Sequence, residues 1–460
     1  FSVVAVSLKK FTFISIPGLD YIGNLGFLQV AMGYLIGRIV ISFVLLPKYF
    51  DGELVTAYAL LERRFGSSTR RFASLVFMVT RIFGDSVRLF ATAIPVALLI
   101  GPIVPKEYVG PASILILGAC TVVYTYHGGM KAVIWTDVIQ IGVYLLGGIG
   151  ALFIIGGDVV GGWSTVIADA SARGQLQWID LYTGFDRPHT LWAGLLGGGF
   201  LSMASHGVDQ MIVQRLFATG SLPLARRALI GSGLVVFAQF ALFLFIGVGL
   251  YAFYGGESFP RPDAIFPRFI VEAMPPGMTG LVIAAVLAAA MSTISSSINS
   301  LAAASVHDLY LPLARTRPDD ATLLRTSKRL TLLWAVILIG GALLYRDEGT
   351  PVVTIALSIA SFTYGGLLGA FFLGLLVVRA RQRDAMLGMA VGISVMSVVV
   401  FANQLSTWFP ALAPTLAPVR GVAWPWFVLI GTTLTFATGL LSSFFSPASP
   451  ASVSSSESVA

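Results

Sequence analysis

The feature that most constrains this chain is the recurrence of apolar runs long enough to cross a bilayer. They fall at about 1–20, 24–48, 70–101, 110–127, 129–157, 190–218, 222–254, 276–306, 324–346, 351–379, 384–404 and 423–446. A helix needs about 20 mostly apolar residues to span the hydrocarbon, so each run is long enough. Backbone polar groups must be satisfied internally in lipid, and a helix does that within one segment. The sequence therefore predicts an all-α polytopic membrane protein of twelve helices.

Composition agrees. Of 460 residues 56% are hydrophobic and 11% charged, less than half the ~25% charged share of a soluble domain. A net charge of +7 would suit nucleic acid in a soluble protein. Here the charges belong beside a lipid bilayer, and no nucleic-acid partner is expected. With the first segment running outward, the inside connections gather seventeen Lys and Arg and the outside ones seven. Positive charge stays inside, which fixes the orientation and predicts a multi-pass protein of the cell (inner) membrane. One cysteine and four scattered histidines exclude disulfide and zinc frameworks. Residue 1 is Phe and no positively charged region precedes the first segment, so the chain shows no recognisable signal peptide and reads as lacking its natural start. Residues 1–446 read as one transmembrane domain, and 447–460 as a Ser-rich disordered tail.

Chemistry concentrates in a few spans. In segment eight, Ala289, Ser292, Thr293 and Ser296 lie at i, i+3, i+4 and i+7 and share a helix face, with Ser295 and Asn299 beside it. Two readings fit this strip. Small hydroxylated residues allow close helix packing and bond back to their own carbonyls. They also offer hard oxygen ligands that could replace the water shell of Na+ near the midplane.

Ionisable residues inside spans are costly and mark function by default. Asp137 stands roughly two turns into segment five, deep enough to need a cation, a proton or several donors. In segment three, Asp85 and Arg88 at i, i+3 can neutralise each other, and otherwise Arg88 would offer a fork to a carboxylate solute. Arg38 in segment two sits nearer the inner surface, where snorkelling is its expected role. Irregular points at Pro17-Gly18 in segment one and at Gly197-Gly198-Gly199 and Gly207 in segment six are five segments apart. An inverted five-plus-five repeat would show this pattern, with interrupted helices lining the site.

Three ordered motifs, Trp135-Thr136-Asp137, Gly207-Val208-Asp209-Gln210 with Val213-Gln214-Arg215, and Ala290-Met291-Ser292-Thr293 through Asn299-Ser300, resemble the sodium/solute symporters. That family includes the sodium/glucose, sodium/proline and sodium/sialic acid carriers. The resemblance covers nearly the whole chain. It implies a LeuT-type fold, with repeat one at about 1–157, repeat two at about 190–379 and two further helices over 384–446. It implies Na+ as coupling ion, a main site made by Ala289, Ser292 and Thr293 with the carbonyls of Ala5 and Leu8, and a second site from Asp137, Ser295 and Ser296. It places Ser7, Thr12, Gln29, Arg88, Ser202, Ser205 and Gln239 near the solute cavity.

The expected function is Na+-coupled import of a small polar organic solute, a sugar, carboxylate or amino acid, by alternating access. The sequence departs from the family at Lys9 and Lys10, whose ammonium groups could replace the ion and make transport Na+-independent. A proton-coupled carrier of the same fold and a transporter-like membrane sensor are compatible with the same residues. Neither a phosphate-binding Gly-x-x-x-x-Gly-Lys-Ser/Thr loop nor a defensible nucleophile–base pair is present, so an enzyme is not expected.

Overall fold

A computed structural model describes residues 11–51, 54, 56–127, 130–314, 318–345 and 352–445. The tail at 447–460 lies outside them. The described helices follow the twelve apolar runs: α1 (Phe11–Tyr21), α2 (Phe27–Val44), α3 (Ser67–Ile100), α4 (Lys106–His127), α5 (Met130–Asp158), a sixth helix in pieces, α7 (Leu222–Phe253), α8 (Pro276–Ala304), α9 (Asp320–Leu344), α10 (Val352–Leu376), α11 (Gln382–Val400) and α12 (Trp426–Phe445). Among the described residues, nine of these are long and apolar enough to cross a membrane. The remainder are α1, the charge-bearing α3 and the broken sixth helix. Large apolar side chains such as Leu146, Phe153 and Val336 stand exposed on α5 and α9. In a bilayer those faces meet acyl chains and need no polar cover.

Local chemistry sets the helix ends. Proline stands in the first turn of α7 and of α8, where its missing N–H costs no hydrogen bond. The chain enters α3 through Gly66 at φ +105°, a conformation that side chains with a Cβ resist.

The sixth helix begins as a π-helical turn, Ala193–Gly198, continues as α6a (Gly199–Gly207), breaks at Val208 and Asp209, and resumes as α6b (Gln210–Phe217). Asp209 caps α6b by accepting from the Met211 N–H at 2.9 Å. The glycines expected to mark irregularity thus lie at the π turn and at the break. They also let α2 come very close: a Cβ at Gly33 would stand 2.0 Å from the Gly194 carbonyl oxygen, and one at Gly37 2.2 Å from that of Gly199.

The first helix corrects the expectation. It runs unbroken through Pro17 and Gly18 to Tyr21. These two residues serve packing instead: a Cβ at Gly18 would meet the Pro262 oxygen at 2.0 Å, and one at Gly247 of α7 would meet the Pro17 oxygen at 2.4 Å. The carbonyl that Pro17 leaves without its N–H donor is that of Phe13, one turn back, and the helix continues past it.

Two packed groups result. Helices α1 and α2 lie against α7, and α2 also against the sixth helix, while α8 lies among α3, α4, α5 and α9. Helix α10 joins α3 to the α11–α12 pair.

Candidate cation and solute site

The hydroxyl strip of α8 faces inward as its spacing requires. Ala289, Ser292, Ser295 and Ser296 are buried and Thr293 is half-buried. Thr293 Oγ1 donates to the Ala289 carbonyl at 3.3 Å, and Ser296 Oγ donates to that of Ser292 at 2.8 Å. Back-bonding of this kind is the packing geometry, yet it also prepares ligands. A hydroxyl whose proton is spent on its own helix presents lone pairs outward, and a cation needs those. The two readings of the strip therefore converge. Ser295 Oγ is enclosed without a hydrogen-bond partner among the described residues.

Ser296 is differently placed. Its Oγ accepts from Arg215 Nη2 at 2.8 Å, and Arg215 is itself buried on α6b. A guanidinium and a bound Na+ at the same hydroxyl would repel one another, so Ser296 can serve as an ion ligand only when Arg215 moves away. Asp137 lies within α5, and its side chain is outside the described set. Ala5, Ser7, Leu8, Lys9 and Lys10 also lie outside the described residues, as does the side chain of Thr12, so of the residues expected to hold the main cation only those on α8 are in view.

The remaining solute positions separate clearly. Gln29 is buried and fully committed: its Nε2 donates to the carbonyls of Gly26 (3.2 Å) and His189 (2.8 Å), and its Oε1 accepts from the Asp180 N–H at 3.0 Å. Ser202 Oγ donates to the Tyr34 carbonyl at 2.8 Å, and Ser205 Oγ pairs with His206 Nδ1 at 2.8 Å. Arg88 Nη1 donates to Asp85 at 2.6 Å, so the ion-pair reading holds for these two residues. Gln239, 2% exposed, is the contrast: both atoms of its amide are enclosed without a partner. Arg38 requires correction. It is 1% exposed, far from snorkelling, because α7 offers Ser232 as a partner and Gly233 as space.

A buried polar network joins the helices beside this region. Asp209, at the break of the sixth helix, accepts from Arg81 of α3 and from the Tyr364 hydroxyl of α10. Arg81 also approaches Asp85 at 3.5 Å, so Arg88, Asp85, Arg81 and Asp209 form one chain of alternating charge. A second cluster lies just past α8: Asp308 accepts from Arg70 (2.7 Å), Ser74 (2.9 Å) and Thr56 (3.3 Å). Between the clusters, Gln210 Oε1 accepts from the Ala57 N–H at 2.7 Å, and the Tyr49 hydroxyl donates to the Gly207 carbonyl at 2.5 Å.

Sequence reasoning singled out Asp209 through its motif but passed over Arg81, Asp308 and Tyr364. A signal existed for Arg81, which stands four residues before Asp85 inside a span. For Tyr364 and Asp308 the pairing is long-range and leaves no local spacing.

A polytopic helical bundle with a broken sixth helix beside a hydroxyl-bearing eighth has the architecture of an ion-coupled carrier of the LeuT type. The Sodium:solute symporter family matches residues 1–392, and the chain belongs to that family. It is similar to the sodium/sialic acid symporter NanT of Aliivibrio fischeri, 28% identical over 429 residues that cover 91% of this chain and 83% of that one. It is also similar to the human sodium-coupled monocarboxylate transporter 1, 28% identical over 427 residues that cover 91% of this chain and 68% of that one. Among solved structures, a Na+-coupled sialic acid symporter in a substrate-bound outward-open state superimposes with a TM-score of 0.81 at 26% identity, covering 97% of this chain and 89% of that one. The protein is a multi-pass, Na+-coupled symporter of small solutes, and not an enzyme.

Proposed function

We propose that the chain imports a small organic acid across the cell (inner) membrane, with Na+ held by Ala289, Ser292 and Thr293 of α8 together with the carbonyls of Ala5 and Leu8. The observation that carries the ion assignment is the α8 strip, in which Thr293 and Ser296 spend their hydroxyl protons on the helix and the Ser295 oxygen stands unpartnered. A second Na+ would use Asp137, Ser295 and Ser296 after Arg215 withdraws. For the solute, Gln239 supports a polar group, since an enclosed amide without partners gains a full hydrogen bond when one arrives. The acid class is favoured by the names of the similar carriers, which act on sialic acid and monocarboxylates. Gln29, Ser202 and Ser205 act in this reading as the walls that hold α2 and the sixth helix around the solute, with Ser7, Thr12 and Arg88 completing the cavity.

In this scheme the repeats run over about 1–157 and 190–379, with helices 384–446 outside them, and Na+ bridges the first and eighth helices. Ion and solute each favour the same state, so each raises the other's affinity by the same factor. One charge falling through 100 mV releases about 2.3 kcal/mol, which adds to the sodium gradient and concentrates solute without ATP. The Asp209 and Asp308 clusters close the inner side and must open for release.

The test is uptake into proteoliposomes under an imposed Na+ gradient, with radiolabelled short organic acids competed by sugars and by amino acids. Acids should compete and neutral sugars should not. Uptake of a sugar that acids fail to inhibit would overturn the acid assignment. Unchanged Na+ dependence in Thr293→Ala would overturn the ion site.

A further inference from the structure

Arg38 is fully enclosed in α2, and a guanidinium stays protonated in proteins. Three other buried or half-buried guanidinium groups sit against carboxylates, Arg81 with Asp209 and Asp85, Arg88 with Asp85 and Arg70 with Asp308, while buried Arg215 donates to the Ser296 hydroxyl. Arg38 has no such partner among the described residues. Its one hydrogen bond is from Nη1 to Ser232 Oγ at 2.9 Å, and that hydroxyl spends its own proton on the Leu229 carbonyl at 2.6 Å. The contact supplies a lone pair and no negative charge. A lone buried charge is among the least favourable features a membrane span can carry.

The surroundings supply donors. Arg38 Nε is enclosed without a partner, and so is the hydroxyl of Tyr34, one turn along the same face of α2. Across the seam, α7 has glycine at 233, where even a Cβ would stand 3.3 Å from Arg38 Cδ, and the other walls are Leu35 and Phe240. Two unused donors, one turn apart on α2, and one uncompensated positive charge therefore lie along an apolar seam.

We propose that this seam binds a small monovalent anion of chloride size, held by the Arg38 guanidinium and the Tyr34 hydroxyl between α2 and α7. A carboxylate would bring a second oxygen and a carbon body against Leu35 and Phe240, whereas a single halide needs only the two donors. The Arg38–Ser232 end of the site is set back from the solute position. Ser232 lies seven residues from Gln239 along α7, roughly 10 Å at the helical rise. The bound anion neutralises Arg38 and ties α2 to α7, so the carrier responds to chloride in addition to Na+ and solute.

The experiment is thermal unfolding of the full chain in lipid nanodiscs at fixed Na+ and ionic strength, with chloride or bromide replacing gluconate. Wild type should show a saturable rise in Tm with either halide. Arg38→Gln should lose the halide-dependent rise, and Tyr34→Phe should raise the half-saturating chloride about tenfold, as loss of one hydrogen bond to a charged group predicts. Arg38→Met in gluconate should unfold no earlier than wild type, because it removes an uncompensated charge. Equal wild-type Tm in chloride and gluconate would overturn the site, as would an undiminished halide response in Arg38→Gln. If Arg38→Gln fails to fold, an unchanged half-saturation in Tyr34→Phe overturns it.

Discussion

Asp209→Asn tests the buried charge chain most directly. In the native protein Arg81 and Arg88 are balanced by Asp85 and Asp209, and Arg81, Asp85 and Asp209 are all at most 4% exposed. Asparagine keeps an acceptor for the Met211 N–H but turns an amide NH2 toward Arg81, so donor faces donor there, while the Tyr364 hydroxyl must rotate to accept. The cluster then carries one unmatched positive charge. Removing one partner of a buried pair costs about 3–5 kcal/mol, and a unit-charge contact at 4 Å and an effective dielectric of 20 gives about 4 kcal/mol. The measurement is reversible denaturant unfolding in mixed micelles, with Arg81→Met and the double variant completing a cycle. Arg81→Met in the Asp209→Asn background removes the orphan charge, so the double variant should be at least about 2 kcal/mol more stable than the sum of the single effects predicts. Additivity to within about 0.5 kcal/mol would refute the coupling, and with it the role given to Asp209 as the charge that fastens the broken sixth helix to α3 and α10.

Three further outcomes follow from the structure. Ser292→Ala and Thr293→Ala should each raise the half-saturating Na+ about tenfold, equivalent to about 1.4 kcal/mol, in Na+-dependent uptake or fluorescence titration. Gly33→Ala should destabilise by about 1–3 kcal/mol in the same unfolding assay, because its Cβ would stand 2.0 Å from a backbone oxygen that cannot step aside. Burial pushes the His189 imidazole down to about 4. Its neutral form is therefore the folded form, the unfolded chain binds the extra proton first, and stability should fall as pH drops from about 6.5 toward 4, by up to about 1.4 kcal/mol per unit. His189→Asn should flatten that part of the pH profile, and an unaltered slope would exclude His189 as its source.

Helix number and placement were legible in the sequence because bilayer thickness sets the length of an apolar run, and the described helices start and stop within a few residues of the runs. The strip on α8 was legible because helical spacing alone puts Ala289, Ser292, Thr293 and Ser296 on one face. Arg38 was misjudged because its environment is made by Ser232 and Gly233, nearly two hundred residues away, and nothing near Arg38 in the sequence announces them. Tyr364 escaped for a similar reason. Pro17 misled because a proline signals a lost hydrogen bond, while the helix continues through it with Gly247 and Pro262 packed against residues 17 and 18.

The seam between α2 and the sixth helix has mechanical meaning. With glycine facing backbone oxygen at Gly33, Gly37, Gly194 and Gly198, the two main chains stand closer than a Cβ at any of these positions would allow. Surfaces that fit atom against atom have one register, and neither partner can tilt without prising open the whole contact. The two helices must then swing as a single rod, and the give that lets a carrier change which side it faces must come from the polar contacts along α3, where hydrogen bonds can be exchanged one at a time.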